Sequence, residues 1–359
     1  MSLYDSLGVR RVINACGIYT DLGGSVLAPS AWAAAAEANS TWAAMDELLD
    51  SSGRLIASLC ESEAARVVPG ASAGIALSIA ACIARGDGPT SEALPLGNGA
   101  VVLMQRGHEY KYARCAALAG ARVEWTDDIA AALAGGERPV AILHPAHLDA
   151  AAVGLRTLAP LAASAGVPIV VDAAFQSFPL DELSRWARGG DVAVFSAKYF
   201  WGPNGGGFVA GRSGLVADLA ALDFTGYESG RWRTFGRAFK LDRATVAATV
   251  AALSEWVGMD HDARLAGLAE LARALAARCG ELDGALVSLQ QFTLDERLVD
   301  GPLNAVLVRG GDPGRLVAEL AAGDPSVRAF ADGDALVFCT DALTAPEVDE
   351  IGAALASAW

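Results

Sequence analysis

The chain has 359 residues, of which 53% are hydrophobic and 7% aromatic, so it can bury a large core and form two unequal domains. It carries 27 lysines and arginines against 42 aspartates and glutamates, and the resulting net charge of −15 argues against a nucleic-acid or anionic-membrane partner. Because no long apolar run and no signal-peptide pattern is present, we expect a cytoplasmic protein. The six cysteines are scattered without a CxxC pair, so we expect neither disulfides nor a metal site.

Short apolar segments alternate with helical ones through the first two thirds of the chain. The predicted strands are 66–68, 101–104, 122–125, 139–143, 167–171, 192–195 and 208–211. Apolar runs of this kind, separated by helices, predict an α/β fold with a mostly parallel sheet covered by helices.

The pattern changes after Arg212, where a long amphipathic stretch runs from about 242 to 279. Short strands are then predicted at 287–290, 304–308, 327–330 and 335–338, followed by a closing helix at 345–357. This mixture predicts a smaller α+β domain. We expect an N-terminal arm at 1–30, a large domain at 31–240 and a small C-terminal domain at 241–359.

A glycine turn joins the predicted strand 66–68 to an apolar helix that begins near Ala71. The unpaired N–H groups and positive end of such a helix favour phosphate binding, and Ser72 adds a hydroxyl group. Small residues at a buried helix start also serve close packing. The turn alone therefore does not decide between the two roles.

Two charged residues follow predicted strands. Asp172 comes directly after 167–171, and Lys198 follows 192–195. Because the carboxyl ends of parallel strands meet in one crevice, we expect the two side chains in the same site. A buried carboxylate can pair with the pyridinium nitrogen of pyridoxal 5'-phosphate (PLP), and a lysine amine can form its Schiff base. The alternative is a capping role for Asp172 and a surface position for Lys198.

Three histidines also follow predicted strands. His108 comes after 101–104, where an imidazole could stack on a cofactor ring, although a structural role is an equal alternative. His144 and His147 come after 139–143. Because no carboxylate or cysteine ligand set lies near them in the sequence, they indicate active-site lining rather than a metal site.

The segment from Val170 to Arg212 resembles the cofactor segment of the fold-type-I PLP enzymes related to bacterial selenocysteine synthase. It is more similar to their shorter relatives of the D-glucosaminate-6-phosphate ammonia-lyase kind. Supporting matches are INA at 13–15, PGASAGI at 69–75, GRAFK at 236–240 and VR at 327–328. Together the matches extend over nearly the whole chain.

The resemblance implies a role for several residues. Lys198 would be the Schiff-base lysine and Asp172 the partner of the pyridine nitrogen, with His108 on the ring. The further cofactor-binding residues would be Ala71, Ser72, Ala73 and Ser196. Arg328 would bind the substrate carboxylate, and Arg237 is a second substrate-binding candidate, in its own site or that of a partner chain.

The resemblance also implies a PLP-dependent enzyme that acts on a small amino-acid-like substrate through an internal aldimine and removal of the α-proton. The reaction it favours is α,β-elimination of the ammonia-lyase type. Aminotransferase, racemase and aldolase reactions share these first steps and stay open, as does a non-catalytic scaffold or regulator. A homodimer or higher homo-oligomer is implied as well.

The chain departs from these relatives at two places. An aromatic run, 199–201, follows the lysine, and an arginine expected near Asp341 is missing. We therefore expect a small amino acid with a polar β-substituent rather than a phosphorylated sugar acid. Without the positive surface of a tRNA-acting synthase, selenium transfer on tRNA is not expected.

Overall fold

The structure is a computed structural model, and it describes residues 3–97, 99–135, 137–228, 235–293, 296–298 and 303–359. The strands are β1 (Val12–Asn14), β2 (Ala64–Val68), β3 (Ala100–Gln105), β4 (Ala121–Thr126), β5 (Ala141–Pro145), β6 (Ile169–Asp172), β7 (Val192–Ser196), β8 (Gly207–Gly211), β9 (Leu286–Thr293), β10 (Glu296–Leu298), β11 (Ala305–Arg309), β12 (Ser326–Arg328), β13 (Phe330–Asp332) and β14 (Ala335–Cys339).

The helices are α1 (Leu3–Leu7), α2 (Pro29–Ser40), α3 (Met45–Leu59), α4 (Ala71–Ala84), α5 (Gly88–Ala93), α6 (Ile129–Ala134), α7 (Leu155–Ala165), α8 (Asp181–Gly189), α9 (Ser213–Leu222), α10 (Thr225–Glu228), α11 (Arg243–Val257), α12 (His261–Gly280), α13 (Pro313–Ala322) and α14 (Ala345–Ala358). In the ranges that the structure describes, no helix combines the length and apolar character needed to cross a membrane.

The chain divides into two compact units, Val26–Gly258 and a second unit formed by Met1–Ser25 with Met259–Trp359. These bounds differ from the expected ones at 30 and 240, because α11 packs against α2 in the larger unit. The predicted stretch from 242 to 279 is two helices. Gly258 follows the end of α11, and the Asp260 side chain caps α12 by accepting from the Ala263 N–H.

Seven strands in the described part of the larger unit form one sheet, in the order β2-β8-β7-β6-β5-β3-β4. The pairs from β7 to β4 are parallel, whereas β8 runs antiparallel to both β7 and β2. Strands β5 to β8 are buried along their whole length, as continuous apolar runs predict. The predicted mostly parallel sheet is confirmed.

Helix α4 lies directly on this sheet and is almost entirely buried. Gly74 allows the close approach, because a Cβ at this position would lie 2.5 Å from Val194 Cγ1 and 3.1 Å from Val68 Cγ2. The first turn of α4 is therefore held close to the carboxyl end of the sheet.

The connection from β7 to β8 is a short, hydrogen-bonded turn. It begins with the 3-10 turn Ala197–Phe200, and Trp201 follows in the left-handed region with φ 58°. The Gly202 N–H donates to Ala197 O at 2.8 Å, and the Ala197 N–H donates to Gly206 O at 3.0 Å. The turn that carries Lys198 is thus fixed between two buried strands.

The smaller unit is built on an antiparallel sheet. Its described strands follow the order β10-β9-β11-β14-β13, and β1 pairs in parallel with β12. Helices α12, α13 and α14 pack with these strands or with one another. This arrangement confirms the predicted smaller α+β domain.

Candidate active site

Asp172 is the last residue of β6 and lies at the carboxyl end of the parallel strands. It is 6% exposed and accepts two hydrogen bonds, from the Tyr110 hydroxyl to Oδ2 at 2.9 Å and from the Ala174 N–H to Oδ1 at 3.1 Å. Burial raises the pKa of Asp172, while the two hydrogen bonds and the nearby His147 lower it. This buried carboxylate is suited to receive a cationic partner.

A row of aromatic rings extends from the partner of this carboxylate to the lysine after β7. We call Tyr110, His147, Phe175 and Tyr199 the aromatic row. The distance between ring centroids is 5.6 Å for Tyr110 and His147, 5.3 Å for His147 and Phe175, and 5.8 Å for Phe175 and Tyr199. Lys198 Nζ lies 5.0 Å from the centroid of Tyr199. The row therefore forms one continuous wall between the two charged groups.

Lys198 is half-buried and follows the last residue of β7, Ser196, by two positions. Burial lowers the pKa of the Lys198 amine, and the positive charge of Lys111 lowers it further. A lysine with a lowered pKa is more often unprotonated at neutral pH, so it can act as a nucleophile or a base. The Ser196 N–H donates to Ala174 O at 2.9 Å, which ties the end of β7 to the segment that follows Asp172.

The N-terminus of α4 presents N–H groups close to the sheet end. Gly70 precedes the helix with φ 83°, a conformation that glycine adopts without strain. The first intrahelical donor is Gly74, whose N–H donates to Gly70 O at 3.0 Å. The N–H groups of Ala71, Ser72 and Ala73 thus precede the hydrogen-bond ladder, as in helix ends that bind phosphate.

The Ser72 side chain connects this helix end to the segment that carries Tyr110. A hydrogen bond from Ser72 lowers the pKa of the Cys115 thiol, which burial raises. Cys115 belongs to the 3-10 segment Lys111–Ala119, which packs against α4. The helix start that we predicted to bind phosphate therefore contacts the segment that directly follows Tyr110 of the aromatic row.

His108, which we predicted on the cofactor ring, is only 1% exposed. It packs edge-on against His144 with ring centroids 4.8 Å apart, and its Nδ1 lies 3.5 Å from Gln105 Nε2. Burial lowers the pKa of His108. The histidine with an electrostatic effect on Asp172 is His147. The role of His108 beside the cofactor ring stays a prediction.

His144 is fully buried at the end of β5, with its Nε2 2.9 Å from Asp149 Oδ1. The same oxygen accepts the Leu155 N–H at 2.7 Å. Burial lowers the pKa of His144 to about 4, so the ring is neutral at pH 7. Across the described ranges, no three His, Cys, Asp or Glu side chains are grouped as a metal site.

The two predicted substrate-binding arginines lie in different units. Arg328 is exposed at the end of β12 in the smaller unit. Burial raises the pKa of the Cys16 thiol to about 11, and the positive charge of Arg328 partly opposes this effect. Arg237 is in the larger unit, with its guanidinium carbon 5.1 Å from the centroid of Tyr227. The roles of both arginines stay predictions.

Sequence reasoning missed Tyr110, Lys111 and Phe175. The first two come five and six residues after the end of β3, and Phe175 comes three residues after Asp172. Each follows the carboxyl end of a parallel strand, where ligands bind in such sheets. That position is the signal by which they could have been found.

No family model matches the chain. Two characterised proteins are similar to it in sequence. A 5'-C-glycyluridine monooxygenase-decarboxylase of a Streptomyces species is 28% identical over 345 residues, which cover 90% of this chain and 83% of that protein. A D-glucosaminate-6-phosphate ammonia lyase of Salmonella typhimurium is 29% identical over 297 residues, which cover 77% of this chain and 76% of that protein.

A solved structure of D-glucosaminate-6-phosphate ammonia-lyase matches the fold with a TM-score of 0.84. The match is 24% identical in sequence and covers 100% of this chain and 98% of that chain. Together with the sequence relatives, it confirms both the predicted resemblance and the predicted fold class.

Proposed function

We propose that this chain is a fold-type-I, PLP-dependent lyase that performs α,β-elimination on a small amino-acid-like substrate. The predictions of an enzyme, of PLP as cofactor and of ammonia-lyase chemistry are borne out by the ammonia lyase among its relatives. The observation that carries the proposal is the position of Asp172 and Lys198 at the ends of neighbouring strands β6 and β7, which pair in parallel.

The groups present at this site fit PLP. Ala71, Ser72 and Ala73 offer N–H groups at a positive helix end for the phosphate, with Ser196 as a further candidate. Asp172 offers a buried carboxylate for the pyridine nitrogen, and Lys198 offers an amine for the aldehyde. When bound, PLP supplies an electron sink for the electron pair released at the substrate Cα.

The side chains of the site carry out the proton transfer and stabilise the charge. With its pKa lowered by burial and by Lys111, the Lys198 amine can accept the proton from Cα. The charge of Asp172 would stabilise a protonated pyridine nitrogen. Loss of the Cα proton and of the polar β-substituent yields, after hydrolysis, a keto acid and ammonia.

Two features of the smaller unit support our choice of substrate class. Arg328 presents a guanidinium group that can bind one carboxylate through two hydrogen bonds. In the same unit, Asp341 Oδ2 accepts from Asn304 Nδ2 at 2.9 Å, and burial raises its pKa while Arg264 lowers it. The absence near Asp341 of the arginine that the relatives carry weakens the case for a second anionic group on the substrate. We therefore favour a small amino acid with a polar β-substituent over D-glucosaminate 6-phosphate.

A second candidate reaction is an oxidative decarboxylation. It is favoured by the similarity to a monooxygenase-decarboxylase, which extends over 90% of this chain. The two reactions have different products, because decarboxylation releases carbon dioxide and the monooxygenase reaction consumes oxygen. Oxygen uptake coupled to release of carbon dioxide, without ammonia, would favour the second candidate.

The assembly and cellular location belong to the proposal as well. We propose a cytoplasmic homodimer, or a higher homo-oligomer, because the resembled enzymes complete their sites across a two-fold interface and closed symmetry is common among homo-oligomers. Arg237 is a candidate for substrate binding in its own site or in that of the partner chain. A monomeric mass at micromolar concentration with full activity would contradict this assembly.

The decisive experiment joins a cofactor assay to a substrate panel. The wild-type protein is expected to bind PLP with a visible absorbance band that Lys198→Ala abolishes and Lys240→Ala retains. Amino acids of both enantiomeric forms, with D-glucosaminate 6-phosphate beside them, are then assayed for keto acid and ammonia. A protein that stays colourless with added PLP would support the scaffold alternative. Spectral change without ammonia would favour transamination, racemisation or aldol cleavage.

A further inference from the structure

We propose that Tyr110 is a positioning residue for Asp172, whose hydroxyl group keeps the carboxylate charged and fixed in orientation and so strengthens PLP binding. This inference rests on the proposed function and adds to it a residue outside the motifs that carry the resemblance.

The geometry of Asp172 is the basis of this inference. The carboxylate accepts the Tyr110 hydroxyl on Oδ2 at 2.9 Å and the Ala174 N–H on Oδ1 at 3.1 Å. An ionised carboxylate only accepts hydrogen bonds, so the hydroxyl must donate, and this favours the charged form of Asp172. With one protein donor on each oxygen, the plane of the carboxylate is fixed from two sides.

The Tyr110 hydroxyl is also the group that most strongly favours the charged state of Asp172. Burial raises the pKa of Asp172, and among the groups that lower it Tyr110 ranks ahead of the Ala174 N–H and His147. Tyr110 and Cys115 face the carboxylate from the segment after β3, and His147 from the segment after β5. Without the hydroxyl, the charged form loses its main side-chain donor.

The position of the Tyr110 ring explains why its hydroxyl reaches Asp172. Its centroid lies 5.6 Å from that of His147 and 6.0 Å from that of Tyr112. These are contacts of the ring and do not involve the hydroxyl group. Tyr110→Phe therefore keeps the packing and removes a single donor, whereas Tyr112→Phe, at a position 41% exposed in the same segment, is the matched control.

The test measures the dissociation constant of PLP for the apoprotein, by quenching of tryptophan fluorescence and by equilibrium dialysis. Loss of a hydrogen bond to a charged group is expected to weaken binding in Tyr110→Phe by about 10- to 100-fold. Tyr112→Phe is expected to bind as the wild type does. Thermal unfolding of each apoprotein is recorded, and we expect Tyr110→Phe to stay folded because its ring contacts are kept.

A double-mutant cycle distinguishes positioning of Asp172 from a general effect on the site. In the Asp172→Asn background there is no carboxylate charge to maintain, so adding Tyr110→Phe is expected to change the PLP dissociation constant little. The proposal is overturned if Tyr110→Phe binds PLP as tightly as the wild type, or if it weakens binding equally in both backgrounds. If the wild-type protein does not bind PLP at all, the proposed function fails as well.

Discussion

Arg66 and Asp223 are 157 residues apart in the sequence and form a buried ion pair, in which Arg66 Nη2 lies 2.5 Å from Asp223 Oδ2. Arg66 Nε donates to the same oxygen at 2.9 Å. The N–H and hydroxyl of Thr225 donate to Asp223 Oδ1 at 2.9 and 2.6 Å. This network ties β2, at the edge of the main sheet, to the end of α9.

Replacement of Arg66 tests how much this ion pair contributes to the free energy of unfolding. Arg66→Met would leave the Asp223 charge buried without its partner, which typically costs about 3–5 kcal/mol in the free energy of unfolding. Urea denaturation of the wild type and of Arg66→Met measures this difference in the free energy of unfolding. Arg54→Met removes an exposed arginine bonded to Ser51 and serves as the control, with an expected change of about 0.5 kcal/mol or less. An equal loss of unfolding free energy in Arg66→Met and Arg54→Met would contradict a stabilising role for the buried Arg66–Asp223 pair.

Gly74 provides a second stability test. Gly74→Ala would place a methyl group 2.5 Å from Val194 Cγ1, so we expect overpacking to lower the free energy of unfolding by about 1–3 kcal/mol. Gly214→Ala, also in a helix of the larger unit, meets no heavy atom within 4 Å and is expected to be neutral or to stabilise by up to about 1 kcal/mol. Matching midpoints of thermal unfolding in the two variants would argue against the close helix–sheet contact.

The buried His144 predicts a pH dependence of stability. Its pKa is lowered from 6.5 to about 4 in the folded protein, so between these values the unfolded chain binds more protons. Stability is therefore full above pH 6.5 and falls as the pH decreases toward 4, by about 3 kcal/mol from this residue. The free energy of unfolding, measured by urea denaturation across this pH range, is expected to depend less steeply on pH in His144→Gln than in the wild type. An unchanged slope would contradict the burial of a neutral ring.

Lys111 is expected to tune the reactivity of Lys198. Because burial and the charge of Lys111 lower the pKa of the Lys198 amine, Lys111→Met should raise that pKa and leave the burial effect in place. The measurement is the pH profile of acetylation of Lys198 in the apoprotein, followed by peptide mass spectrometry. In the variant the profile should move to higher pH, while the profile of Lys240 stays the same. A profile of Lys198 that does not move would exclude an effect of Lys111.

Asp172→Ala addresses the chemistry directly. We expect this variant to bind some PLP but to lose turnover on the order of a hundredfold or more, because a charge that stabilises the transition state is removed. Steady-state rates at saturating PLP, with the substrate found in the amino-acid panel, measure the effect. Rates near those of the wild type would show that the Asp172 charge has no role in catalysis.

The parts of the fold that the sequence predicted best are those set by local burial. Asp172 and Lys198 were found because strands buried on both faces read as continuous apolar runs, and the residues after such runs lie at the sheet end. Tyr110 was missed because its role depends on a contact with a residue 62 positions away, which no periodicity in its own segment records.

The direction of β8 shows the same limit. The run at 208–211 was predicted as a strand without a direction. Its antiparallel pairing follows from the short connection after β7, since a parallel crossover needs a dozen or more residues.

The pairing of β1 with β12 has a consequence for the order in which the protein is made. Val12 pairs with Ser326, so β1 meets its partner strand only after the complete segment Val26–Gly258 has been synthesised. Domains generally fold as units during synthesis. We therefore expect the larger unit to form first on the nascent chain, and the smaller unit, which combines Met1–Ser25 with Met259–Trp359, to form after it. A truncation near Gly258 would leave the first 25 residues without the strand they pair with.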